Sequence, residues 1–168
     1  MRRYKLLVLG GSNVGKKSLT IQFCLNHFIG KNDPIADNSY KKNVVIGDEQ
    51  CTLEILYTLG PEYAKVHGEW IREYEGFLIV YSISSRSTFE QIEELRNQII
   101  RIKKTDSVPI VIVGNKCDKM TEREVLREDG MNMSRRLGCE FVETSAKTCV
   151  NVERAFHTVV RMIRSGRE

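Results

Sequence analysis

The stretch Gly10-Gly11-Ser12-Asn13-Val14-Gly15-Lys16-Lys17 follows the aliphatic run Leu6-Leu7-Val8-Leu9 and opens a segment of helical character. It satisfies G-x-x-x-x-G-K and then has lysine where that pattern continues with Ser or Thr. In a strand–loop–helix context, the glycines let backbone N–H groups turn inward on phosphate oxygens. The helix N-terminus adds positive potential, and Lys16 reaches the β and γ phosphates. A phosphate-binding α/β fold is the expectation.

Working outward, short aliphatic and β-branched runs alternate with longer segments of helical period, the pattern of a mostly parallel sheet with helices on both faces. Six strands are expected at about 3–9, 39–46, 51–57, 76–83, 109–114 and 140–143. Phe77-Leu78-Ile79-Val80-Tyr81 and Ile110-Val111-Ile112-Val113 are continuous apolar runs, as central parallel strands buried on both faces require. The turn-like Gly47-Asp48-Glu49-Gln50 joins 39–46 to 51–57 as one antiparallel edge hairpin. About five helices are expected, at 16–25, 62–74, 87–104, 123–137 and 151–165. In the third, Phe89, Ile92, Leu95, Ile99 and Ile102 form one apolar stripe.

With 168 residues, 41% of them hydrophobic, the chain has the size and composition of one domain with a full core, expected over 1–168. The net charge of +4 comes from basic pairs dispersed along the sequence, so no nucleic-acid stripe is expected. Five cysteines, with no C-x-x-C spacing, signal neither zinc nor a disulfide framework, and a reducing, cytoplasmic setting fits them. The apolar run after Arg2-Arg3-Tyr4-Lys5 is too short for a signal-peptide core, and no stretch could span a membrane.

Two further motifs lie at the carboxyl ends of strands, where ligands bind in open α/β sheets. Asn115-Lys116-Cys117-Asp118 follows the fifth strand, and Ser145-Ala146-Lys147 follows the sixth. A carboxylate such as Asp118 can accept two hydrogen bonds from the N1–H and 2-amino group of guanine, a pattern adenine does not offer. That tells against an ATPase or kinase.

From Tyr4 to about Arg164 the chain resembles the Ras superfamily, nearest its Ras and Rap branch, through Tyr4-Lys5-Leu6, Asn115-Lys116-Cys117-Asp118 and Glu143-Thr144-Ser145-Ala146-Lys147. The resemblance implies a P-loop NTPase fold that binds GTP or GDP. It places Gly10, Ser12, Asn13, Val14, Gly15, Lys16, Lys17, Ser18 and Gly60 around the phosphates. Phe28 is placed against the guanine ring. Asn115, Lys116, Asp118, Ser145, Ala146 and Lys147 form the base pocket, with the Ala146 N–H meeting the guanine oxygen.

Against that family, the catalytic end departs. Lys17 replaces the hydroxyl that ligates Mg²⁺, and Ser18 is rotated away by about 100° on a helix of 3.6 residues per turn. Ile35 replaces the threonine of the first switch, and an alkyl group cannot ligate a hard cation. The family's D-T-A-G-Q reads Tyr57-Thr58-Leu59-Gly60-Pro61, which removes both the carboxylate of the metal shell and the amide that orients the attacking water.

Weak or absent Mg²⁺ binding, no catalytic residue, and very slow or absent hydrolysis are the expectation, the alternative being tolerated drift with compensation from neighbours such as Asp33, Asp37 or Glu62. The Lys17 ammonium is a candidate stand-in for part of the missing metal charge, the alternative being that it faces solvent. A nucleotide-free interaction scaffold and an active Mg²⁺-dependent GTPase with unorthodox switches remain as alternatives. Effector or regulator proteins are expected at about 32–42 and 59–72, by strand addition beside 39–46. Trp70 there reads as an exposed anchor or a core residue, the exposed contact being preferred. Asn38 and Ala36 replace an acidic and a larger apolar residue, which puts the family's usual effectors in doubt. The chain ends without a C-a-a-X, so membrane attachment is expected only where a lipidated tail follows.

Overall fold

A computed structural model describes residues 1–29, 38–59 and 64–166. Six strands form one sheet: β1 (Arg2–Gly10), β2 (Ser39–Ile46), β3 (Glu49–Tyr57), β4 (Gly76–Ser82), β5 (Ile110–Asn115) and β6 (Glu140–Glu143). Their order is β2-β3-β1-β4-β5-β6. Only the β2–β3 pair is antiparallel. Ile46 pairs with Glu49, so the hairpin turn is just Gly47 and Asp48, tighter than the four residues expected. Gly47 takes φ +64°, which glycine adopts without steric penalty.

The helices are α1 (Lys16–Leu25), α2 (Ala64–Glu73), α3 (Arg86–Glu90), α4 (Ile92–Lys103), α5 (Arg127–Leu137) and α6 (Val152–Ser165). The apolar stripe expected over 87–104 is present, but its helix is interrupted at Gln91, whose dihedrals stay right-handed (φ −81°, ψ −14°). Counted as one interrupted helix, α3 and α4 give the expected five. The helix expected from 123 begins at 127. Before it, the Glu124 and Val125 N–H groups donate to the Ile83 carbonyl, and the Asp129 carboxylate accepts from the Leu126 N–H at 3.1 Å. The chain there is held against the end of β4 and cannot yet coil.

Alternation along β1 sorts the core into two layers. Leu6 and Val8 face α1 and α6, packing with Leu53, Ile55, Val80, Phe23, Phe156 and Val159. Leu7 and Leu9 face the other helices, packing with Phe77, Ile79, Ile92, Ile99 and Leu137. Every residue of β4 and β5 is buried, as their unbroken apolar runs require. Trp70 corrects an expectation: it is half-buried against the second layer, not an exposed contact. No helix among the described residues is long and apolar enough to cross a membrane. The sheet thereby brings the carboxyl ends of β1, β4, β5 and β6 to one edge, where the loops gather.

Candidate nucleotide site

The loop after β1 is shaped by two close approaches. Gly15 sits at φ +96°, and a Cβ there would lie 2.3 Å from Asn115 Nδ2. At Gly10 a Cβ would lie 2.3 Å from the Val80 carbonyl oxygen. Both positions therefore require glycine. Lys16, 7% exposed, folds back over the loop and donates to the carbonyls of Gly10 at 2.6 Å and Gly11 at 3.1 Å. Its ammonium is thus held at the loop mouth.

Asn115 is the hub that ties the loops together. It is 1% exposed, and its Nδ2 donates to the Val14 carbonyl at 3.0 Å. Its Oδ1 accepts from the Thr144 hydroxyl at 2.9 Å and from the Ala146 N–H at 3.3 Å. Lys116, at φ +66°, reaches across to donate to the Asn13 carbonyl at 2.6 Å. Ser145 Oγ donates to Asp118 Oδ1 at 2.6 Å, orienting that carboxylate, and accepts from the Thr148 N–H at 3.0 Å. Gln22 Nε2 donates to the Ala146 carbonyl at 2.7 Å, so α1 also braces the last loop.

These loops enclose a cavity of 590 Å³, within the range of small-molecule sites. Of the residues expected at the site, Ser12, Asn13, Val14, Gly15, Lys16, Lys17, Ser18, Phe28, Asn115, Lys116, Asp118, Ala146 and Lys147 line it. Gly10 and Ser145 stand behind the wall, one turning the loop and the other holding Asp118. Gly60 lies outside the described residues, as do Ile35, Ala36 and Pro61. Phe28 is 45% exposed at the rim beside the base loops. Sequence reasoning missed Lys119 and Thr58 in the lining, and Thr144 and Gln22 as braces. For Gln22 no local signal exists, since its partner lies 124 residues away, whereas Thr144 lies inside the quoted motif Glu143-Thr144-Ser145-Ala146-Lys147.

At the phosphate end the described side chains are hydroxyls, amines and a phenol. Lys17 lines the cavity and is half-buried. Ser18 Oγ donates to the Ile29 carbonyl at 3.2 Å, so its proton is committed away from the cavity. Tyr57, 3% exposed, lines the cavity while packing into the first core layer, and Leu59 is 62% exposed. Among the described lining residues the one carboxylate is Asp118, on the base loop. A hard divalent cation prefers anionic oxygen, and the described residues at this end offer only neutral oxygens, among them the hydroxyls of Ser18 and Thr58, beside two lysines.

Comparison with known proteins agrees with the fold. The family model described as "Ras family" matches residues 5–165. Ras-like protein 1 of Pyricularia oryzae is 47% identical across 100% of this chain and 78% of its own length. Protein ras-2 of Neurospora crassa is 48% identical, covering 98% of this chain and 81% of its own. A Ras-like protein of Laccaria bicolor is 48% identical, with 98% and 79% covered.

Proposed function

The chain belongs to the Ras family of GTP-binding signalling proteins, and we propose that it holds guanine nucleotide with little help from magnesium and hydrolyses GTP very slowly or not at all. The observation that supports this reading is Lys17, which lines the cavity at the position after the loop lysine and sets a second cationic side chain next to Lys16 in the sequence. With Lys16 it supplies two positive charges where triphosphate charge accumulates. Tyr57 fills the place of a metal-shell carboxylate, and Ser18 is turned to Ile29.

In this account Lys16 and Lys17 bind and neutralise phosphate oxygens. Asp118, held by Ser145, accepts from the guanine edge, and the Ala146 N–H donates to the guanine oxygen. Phe28 covers the ring face, while Asn115 and Lys116 keep the base loops clamped to the phosphate loop. Gly60 belongs with the phosphate contacts. In this reading no side chain acts as a base or as a positioner of water, and Pro61 has neither a side-chain amide nor an N–H for that role. Partner proteins, effector or regulator, are assigned to the surface at about 32–42 and 59–72, of which β2 offers an unpaired sheet edge. The domain spans 1–168 in this reading.

The test is to denature purified protein and identify released nucleotide by chromatography, then to follow phosphate release from added GTP with and without Mg²⁺. Bound guanine nucleotide without phosphate release is expected. Mg²⁺-dependent turnover would establish an ordinary GTPase, and no nucleotide under either condition would establish a scaffold.

A further inference from the structure

On the other side of the phosphate loop lies a second cleft of 410 Å³, which the nucleotide account does not use. Its floor is rigid. Thr88 Oγ1 donates to the Ser85 carbonyl at 2.8 Å and accepts from the Ser82 N–H at 3.0 Å, while the hydroxyls of Ser82 and Ser84 are 2.8 Å apart. Its rim is rich in hydrogen-bonding groups. Ser12, Asn13 and Gln91 line it with side chains that make no hydrogen bond to any described residue. The Ser85 and Ser87 hydroxyls, 3.1 Å apart, complete the rim, and both are open to a third partner.

The charge in this cleft has one sign. Lys116 lines it, its ammonium anchored on the Asn13 carbonyl, and no carboxylate is among the described lining residues. Several hydroxyl and amide donors around one cation favour an anion with several acceptor oxygens over a neutral or cationic ligand. The short helix α3 is not the source of this preference, because the Arg86 N–H already donates to Glu124 Oε1 at 2.9 Å.

We propose that this cleft binds a small phosphate-class oxyanion, held by Ser85, Ser87, Gln91 and the Ser12–Asn13 wall with Lys116 supplying the charge. The site is separate from the nucleotide cavity, though Ser12, Asn13 and Lys116 border both.

The experiment titrates inorganic phosphate and, separately, glycerol 3-phosphate into the full chain and follows backbone amide NMR shifts. Saturable shifts over 82–91 are expected, and Ser87→Asp, which adds a carboxylate at an exposed position, weakens binding by at least about tenfold while Ser87→Asn does not. Tighter glycerol 3-phosphate would assign the anion to a phosphorylated small molecule and tighter phosphate to the free ion, and both uphold the site. Shifts confined to residues 10–18, no saturation, or equal affinity in Ser87→Asp would overturn it. Because the readout is the location of the shifts, it stands whether or not guanine nucleotide binds next door.

Discussion

Replacing Asn115 with Ala should unfasten the site more than any other single truncation in its walls. Three buried partners lose their bonds: the Val14 carbonyl at 3.0 Å, the Thr144 hydroxyl at 2.9 Å and the Ala146 N–H at 3.3 Å. A buried polar group left unsatisfied costs about 1–3 kcal/mol, and the 3.3 Å contact belongs at the low end, so the sum is about 3–5 kcal/mol. The assay is urea denaturation of nucleotide-free protein, read as a shift in midpoint at constant slope. A companion variant, Thr144→Val, removes one of the three bonds. The two substitutions should be non-additive, with the double variant less destabilised than the sum by about 0.5–3 kcal/mol. A loss below about 1 kcal/mol for Asn115→Ala, or strict additivity with Thr144→Val, would refute the hub.

Other outcomes follow from single features. Arg123 makes two 2.8 Å bonds to the Glu143 carboxylate, which is 7% exposed, so Arg123→Ala strands a buried charge and should lower stability by about 3 kcal/mol in the same assay. The Tyr81 hydroxyl is fully buried with no hydrogen-bond partner among the described residues, and burial holds its pKa well above the usual phenol range. Tyr81→Phe should therefore raise the thermal midpoint, by the equivalent of about 1 kcal/mol, and a clear decrease would mean the hydroxyl has a partner. Burial lowers the His157 pKa in the folded chain, so the unfolded chain takes up the proton more readily. That contribution is complete above about pH 6.5 and is lost as pH falls toward the depressed folded value, so His157→Gln should flatten the acid limb of the stability profile.

The sequence made the frame legible where period and motif coincide. The runs 39–46 and 16–25 agree with β2 and α1 to the residue, because the turn residues that close a hairpin and a glycine-to-lysine helix start are local signals. The three nucleotide motifs converge on one cavity for the same reason: each is a short loop at a strand end, and the parallel sheet brings strand ends together. Tertiary partners were not legible. The late start of α5 depends on the Ile83 carbonyl, which holds the Glu124 and Val125 N–H groups from across a long stretch of chain, a contact no periodicity encodes. Trp70 carries an ambiguous local pattern, and only the second core layer decides that it packs inward. The second cleft was invisible, since only the fold brings the loop after β4 and the phosphate loop together.

The most direct test of the account is the dissociation rate of a fluorescent GDP analogue from the wild-type chain and from Lys17→Ser, each in excess Mg²⁺ and in excess EDTA. If Lys17 supplies charge that a metal would otherwise provide, the wild-type rates in the two buffers should agree within about threefold, and Lys17→Ser should release faster in EDTA than in Mg²⁺. Wild-type release accelerated about a hundredfold by EDTA, equivalent to about 2.7 kcal/mol of metal-dependent binding, would contradict it.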